Sequence, residues 1–181
     1  MSVNLGTNTK HIVSGTMYDD WFLPSVDELS AMYTNLHLEG VGAFNSLGIY
    51  FSSSEFSSNA IYSITFNDGV THTDTWKGSI NYVRACRTFV ATTGDYILKD
   101  TGPAGGLIFY INDEGATSIY LEAAPSDQSP GTQIWSNVTS TEIGTTSTGV
   151  HQGGDNTVDI IAQIGHTDSA AKLCDDLVVT L

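Results

Sequence analysis

Basic residues are what this sequence has least of. Six Lys+Arg stand against twenty Asp+Glu in 181 residues, a formal net charge of −14. A surface of that sign repels phosphate backbones and anionic headgroups, so nucleic-acid and polybasic membrane binding are not expected. Long apolar runs are also missing, since no stretch reaches the roughly 18–20 residues of a membrane helix. The opening Met1-Ser2-Val3-Asn4-Leu5-Gly6 has neither a basic nor an apolar segment, so no standard secretory signal is expected. The two cysteines, Cys86 and Cys174, occur without a C-x-x-C or H-E-x-x-H, which argues against structural zinc. The histidines His11, His37, His72, His151 and His166 show no ligand spacing. No G-x-S-x-G, P-loop or G-x-G-x-x-G occurs, and no cofactor is expected.

Against these absences, 40% apolar and 10% aromatic residues describe a chain that folds around a core. Ser, Thr and Gly in place of Lys and Arg lean toward a β-rich, externally exposed protein.

Residues 1–16 read as a polar arm. In Leu23-Pro24-Ser25-Val26-Asp27-Glu28, Ser25 and Glu28 have capping-box spacing. The stripe Val26, Leu29, Met32, Tyr33 and Leu36 predicts a helix ending near Gly40. Residues 61–66, the turn Asn67-Asp68-Gly69 and residues 70–76 predict a β-hairpin. A third strand is expected over residues 80–89, carrying both arginines, Arg84 and Arg87. A second hairpin is expected from Leu107–Ile111 and Ile119–Ala123. Residues 125–154 read as a long loop around Trp135. A helix capped by Asp155 or Asn156 should run through Ile160, Ile161 and Ile164, and another should align Ala170, Leu173, Cys174 and Leu177. Three short helices and at least five strands make an α+β domain.

Three segments resemble one family. Asp20-Trp21-Phe22-Leu23-Pro24-Ser25-x-x-Glu28-Leu29 is similar to its D-W-x-L-P-(S/T)-x-x-E-L helix start. Phe51-Ser52-Ser53-Ser54-Glu55 is similar to its W-S-S-S-E loop, with Phe for Trp. Tyr82-Val83-Arg84-Ala85-Cys86-Arg87 is similar to its closing V-R-x-x-R strand. The family is that of C-type-lectin-like domains, found at the ends of bacterial collagen-like adhesins and as retroelement-diversified ligand-binding proteins of phages and bacteria. Residues 101–110, 120–125 and 170–177 resemble the half of that domain that normally comes first.

The resemblance therefore implies inverted order. Residues 17–90 correspond to the C-terminal half (helix, loop, hairpin, closing strand), 91–95 to a junction, and 96–181 to the N-terminal half (opening hairpin, long loop, helices). Two arrangements satisfy this. In a circular permutant, first and last strands pair side by side, a short link over 89–95 joins them, and Leu181 lies near residues 16–18. In the alternative, half-domains are exchanged head to tail between chains, building a ring or filament. A fragment of a tandem array is the third possibility. The two cysteines on their own read as two buried free thiols or one disulfide; the resemblance implies a Cys86–Cys174 bridge, intermolecular if halves are exchanged.

By the same resemblance the ligand face comprises Phe56, Asn59, Tyr62, His72, Asp74, Trp76 and Asn81, aromatics set among small polar groups. Trp21, Glu28, Glu55, Arg84 and Arg87 are expected to be structural, the arginines pairing with Glu55 or Glu28. Asp19-Asp20 and Asp175-Asp176 read as solvated acids. A structural calcium site, which needs six to eight oxygens, is the alternative reading of these acids and no motif supports it. The E-P-N, Q-P-D and W-N-D elements of calcium-dependent lectins are absent, so calcium-dependent monosaccharide recognition is not implied. The fold's enzymatic relatives, the formylglycine-generating enzymes, use a closely placed reactive cysteine pair; here the basic neighbours are Arg84 and Arg87 beside Cys86, expected in ion pairs rather than stabilising a thiolate. The expected function is non-enzymatic: a binding or attachment module on a virion or other extracellular surface, recognising a glycan or surface protein. A self-assembling structural subunit is the alternative, and a bacterial surface adhesin the third.

Overall fold

A computed structural model describes residues 15–181, so nearly all of the arm expected over residues 1–16 lies outside the described residues. The capping box forms as its spacing predicts. Ser25 Oγ accepts from the Glu28 amide, Glu28 accepts from the Ser25 amide, and α1 (Val26–Met32) follows. The next helix-end donors are satisfied from outside, Val26 N–H by Ser54 Oγ and Asp27 N–H by Thr148 O, each at 3.1 Å. The chain then widens into a π turn, Tyr33–His37, and Gly40 leaves the helical region with φ of +72°. Val26, Leu29, Met32 and Leu36 are buried and Tyr33 is half-buried.

The strands in chain order are β1 (Met17–Tyr18), β2 (Ile49–Glu55), β3 (Ala60–Thr65), β4 (Thr71–Trp76), β5 (Ile80–Val83), β6 (Cys86–Thr92), β7 (Leu107–Glu114), β8 (Thr117–Ala123), β9 (Ser129–Ile134) and β10 (Val179–Thr180). Helices α2 (Gly153–Ile161) and α3 (Ala170–Asp175) precede β10. The architecture is α+β. One sheet runs β4-β3-β2-β5-β9, a second β6-β8-β7, and β1 pairs with β10. Strand β2 is covered on both faces. Phe51 packs with Trp21, Ile61, Trp135 and Ile160 on one side; Tyr50 packs with Leu29, Met32, Ile64 and Leu121 on the other.

Several expectations are corrected. Residues 80–89 form two strands in different sheets, because the chain leaves one sheet for the other at Arg84-Ala85. Phe51–Glu55 is strand rather than loop. The long loop contains β9, which pairs antiparallel with β5. Helix α2 starts after Gln152, earlier than Asp155 or Asn156, and stops before Ile164, which is almost fully exposed. Strands β6 and β7 are not neighbours, since β8 lies between them. Both run antiparallel to β8 and hence parallel to each other, so no short link can join them. Residues 93–106 make the crossover, fastened to β7 by Lys99 N–H to Ile108 O (2.8 Å) and Ile108 N–H to Asp100 O (2.9 Å). At the other end of the chain, Thr16 and Leu181 exchange two backbone hydrogen bonds, 2.9 and 3.1 Å.

The arginines do not meet Glu28 or Glu55. Arg84 pairs with Asp127 at 2.8 Å, and Arg87 with Asp20 at 2.7 Å and Glu122 at 3.2 Å. Glu122 lies on β8, Asp127 just after it and Asp20 before α1, a tertiary placement that strand periodicity does not carry. Trp21 is buried, its indole N–H donating to Tyr18 O.

Glu55 is paired with Lys77 instead, and both side chains are buried. Lys77 also donates to Thr141 O (3.0 Å) and lies 5.2 Å from the centre of the Trp135 ring. Glu55 further accepts from the Ile143 and Gly144 amides. Replacing Lys77 by Met strands that carboxylate, and urea unfolding should show a loss of about 3–5 kcal/mol, part of it recovered in Lys77→Met/Glu55→Gln. A loss below about 1 kcal/mol would mean that the pair is solvated.

Candidate functional site

The β3–β4 hairpin places the residues expected to form a ligand face, and its register decides which of them meet. Ala60 faces Trp76, Ile61 faces Thr75, and Ser63 faces His72, so β4 carries one extra residue around Thr73 and Asp74. Tyr62 is in phase with Ile64, which faces Tyr50 on the α1 side of the sheet. Phe56 packs edge-on against Tyr62, with ring centroids 5.4 Å apart. Its amide donates to Ala60 O at 2.9 Å, so Phe56 and Trp76 flank Ala60. Phe56 and Trp76 are 52% and 53% exposed, large aromatic side chains left outside the core. Asn59 and Asp74 are exposed nearby, and the Asn59 carbonyl accepts from the Lys77 amide at 3.1 Å.

Two expected residues do not join this group. Ser63 faces both Phe51 and His72, which puts His72 on the opposite side of the sheet, hydrogen-bonded to Thr65 Oγ1 at 2.7 Å. Asn81 is one residue out of phase with Tyr82, the partner of Tyr50, and faces Gln133 on β9. It shares His72's side, but β3 and β2 separate their strands. The structure thus gathers Phe56, Asn59, Tyr62, Asp74 and Trp76, and separates His72 and Asn81 from them.

Gly78, two residues after Trp76, seats the indole. A Cβ on Gly78 would stand 2.5 Å from Cη2 of the indole and 2.7 Å from Cζ2 and Cζ3, so the ring lies over the Gly78 backbone. Between them Lys77 points inward to Glu55. The tripeptide therefore holds a buried cation and an exposed indole side by side, an arrangement that strand alternation foreshadows but sequence reading missed at Lys77 and Gly78.

Elsewhere most polar groups hold the chain together, while Gln163 Oε1 and His151 Nε2 are buried without a hydrogen-bond partner among the described residues. A shallow cavity of about 340 Å³ is lined in part by Thr141, Ile143, Asp159 and Gln163. Within it Thr145 donates to Asp159 at 2.6 Å and Gln163 to Thr141 O at 2.9 Å. Asp20 holds Arg87 and Asp176 holds Lys172. Among the described residues no group of three or more His, Cys, Asp or Glu gathers to hold a metal ion. No helix among them is long and apolar enough to cross a membrane.

The cysteine bridge implied by the resemblance is not formed. Both thiols are free and fully buried, Cys86 against Leu29 and Leu121 and Cys174 against Trp21 and Ile160, in different core clusters. Burial pushes both thiols well up; Glu28 and the Cys174 thiol add to the effect at Cys86, and Asp175 adds to it at Cys174. Neither has the electropositive, accessible setting of a reactive thiolate. Native protein should therefore resist iodoacetamide at pH 8, labelling only after unfolding. Rapid stoichiometric modification of the folded chain would contradict this burial.

Glu28 is the most perturbed carboxyl. Its oxygens accept from the Ser25 and His151 amides at 2.7 Å, and the Gly153 amide adds a third donor. Burial outweighs these donors and raises its pKa from 4.5 to about 7. Because the folded state then holds the proton more tightly than the unfolded one, this group's contribution is complete below about pH 4.5. It declines as the pH rises to about 7 and is level above. Across that window the wild type should lose up to about 3 kcal/mol relative to Glu28→Gln in denaturant titrations. A constant difference would show that Glu28 keeps an ordinary affinity for its proton.

No protein-family model, curated protein or solved structure matches the chain.

Proposed function

We propose that the chain is a non-enzymatic binding or attachment module, a C-type-lectin-like domain with its halves in permuted order, displayed on a virion or other extracellular surface and recognising a glycan or surface protein. The observation that carries this reading is the pair of exposed aromatics, Phe56 and Trp76, set on either side of Ala60 among exposed Asn59 and Asp74. Exposed aromatics on a rigid hairpin supply contact area at low entropic cost. Two features support halves that complete one another, within a chain or between chains. Residues 16–18 pair with 179–181, and β6 of the leading half pairs along its length with β8 of the trailing half. The acidic composition is consistent with a surface setting and an uncharged or basic ligand.

The test has two parts. Light scattering on the size-exclusion eluate should give a monomer near 19.3 kDa. A ring or an open series of oligomers that shortens on dilution would make exchanged halves, and hence assembly, the primary role. Fluorescently labelled chain should then be retained by some members of a panel of bacterial envelopes. The Phe56→Ala/Trp76→Ala variant should lose that retention about tenfold or more while melting as the wild type does. Retention unchanged in the variant, or none on any envelope, would refute the binding reading.

A further inference from the structure

We propose that the outer face of the Trp76 indole is a stacking platform for a neutral sugar ring, with Asn59 and Asp74 as its hydrogen-bonding neighbours. This rests on the binding-module reading and narrows the ligand to a carbohydrate.

The indole is a one-sided surface. Gly78 fills the space beneath it so closely that no side chain fits there, while the ring is 53% exposed. Across the hairpin its neighbour is Ala60, too short to overhang it. The backbone on either side is fastened, Lys77 N–H to Asn59 O at 3.1 Å and Ser79 N–H to Trp76 O at 2.9 Å. The ring is therefore held before any ligand arrives, and stacking upon it forfeits little rotamer freedom.

A flat, open π face with a negative quadrupole suits the polarised C–H face of a pyranose. Protein hot spots, by contrast, lie in desolvated pockets ringed by excluded area, and Trp76 stands on an open hairpin. A stacked pyranose turns its hydroxyls outward and needs planar polar groups at the rim. Asn59 uses Oδ1 to accept from Ser57 Oγ at 3.1 Å. Its Nδ2 and both oxygens of Asp74, exposed side chains, have no hydrogen bond or ion pair among the described residues. An amide donor and a carboxylate acceptor are thus unengaged on residues that neighbour Trp76 along the hairpin, Asp74 two positions before it on β4 and Asn59 next to its cross-strand partner Ala60. The net charge of −14 and the Asp74 carboxylate disfavour uronate, sialate or phosphate groups, which leaves neutral sugars.

The chain carries its own probe. Trp21 and Trp135 are 2% and 0% exposed, so red-edge tryptophan emission and acrylamide quenching report Trp76. Methyl glycosides of glucose, galactose, mannose and N-acetylglucosamine, and their short oligomers, should be titrated against intact protein, with polygalacturonate as the acidic control. At least one neutral sugar should shift that emission to the blue and protect it from acrylamide, half-saturating at about millimolar concentration. By saturation-transfer NMR, Trp76→Ala should weaken the same sugar about tenfold. Gly78→Ala lifts the indole at a position whose φ lies outside the left-handed region, and should weaken binding several-fold with the fold intact.

A panel in which no neutral sugar perturbs Trp76, or a sugar bound equally by Trp76→Ala, overturns the proposal. Retention on envelopes that survives periodate oxidation but is abolished by protease also overturns it, while leaving the binding module standing with a protein ligand. Absence of retention on any envelope refutes the module itself.

Discussion

Buried carboxylates serving more backbone amides than counter-charges hold this fold together. Glu55 meets one cation, Lys77, and two amides of the loop after Thr141. Glu122 meets Arg87 and the amides of Ala104 and Gly106. Glu28 has amides alone, from Ser25, His151 and Gly153. Long stretches of this chain have no ladder partner, and a buried amide without an acceptor is costly. Each carboxylate gathers such donors from irregular backbone and fixes a loop against a strand or helix. Glycine makes room for these carboxyls at two positions. Side chains on Gly102 or Gly153 would stand 2.5 and 2.3 Å from the Glu122 and Glu28 carboxyls.

The same scheme explains the serines of Phe51-Ser52-Ser53-Ser54-Glu55. Ser52 Oγ donates to Tyr62 O, Ser53 Oγ accepts from Asn156, and Ser54 Oγ accepts from the first amide of α1 while donating to Ser147 O. A run of small hydroxyl residues is the middle of a strand buried on both faces. It satisfies helix, hairpin and loop at once, with no room for longer side chains.

Local signals were legible and crossing points were not. The capping box at Ser25 and Glu28, the Asn67-Asp68-Gly69 turn and the second hairpin are set by neighbours in sequence, and all appear where spacing puts them. The change of sheet at Arg84-Ala85 and the pairing of β9 with β5 depend on partners some forty residues away, such as Asp127 for Arg84. Within the candidate face, the resemblance places His72 with Trp76, and strand alternation agrees. The extra residue on β4, which alternation does not reveal, turns His72 to the other side of the sheet. Lys77 escaped notice because a lone lysine in a polar stretch gives no sign of burial; its acid partner comes from another strand.

The pairing of the chain's extremities sets an order of events during synthesis. Helix α1 leaves the ribosome before the trailing half, yet its second amide needs Thr148, its capping carboxylate needs His151, and β1 needs β10. The leading half cannot complete its buried hydrogen bonding until the trailing half has been made. Until then the apolar strands of the leading half lack the partners that cover them. Neighbouring chains on one polysome would then present the same missing partners to each other, so the speed of closure decides whether each molecule finds its own end first.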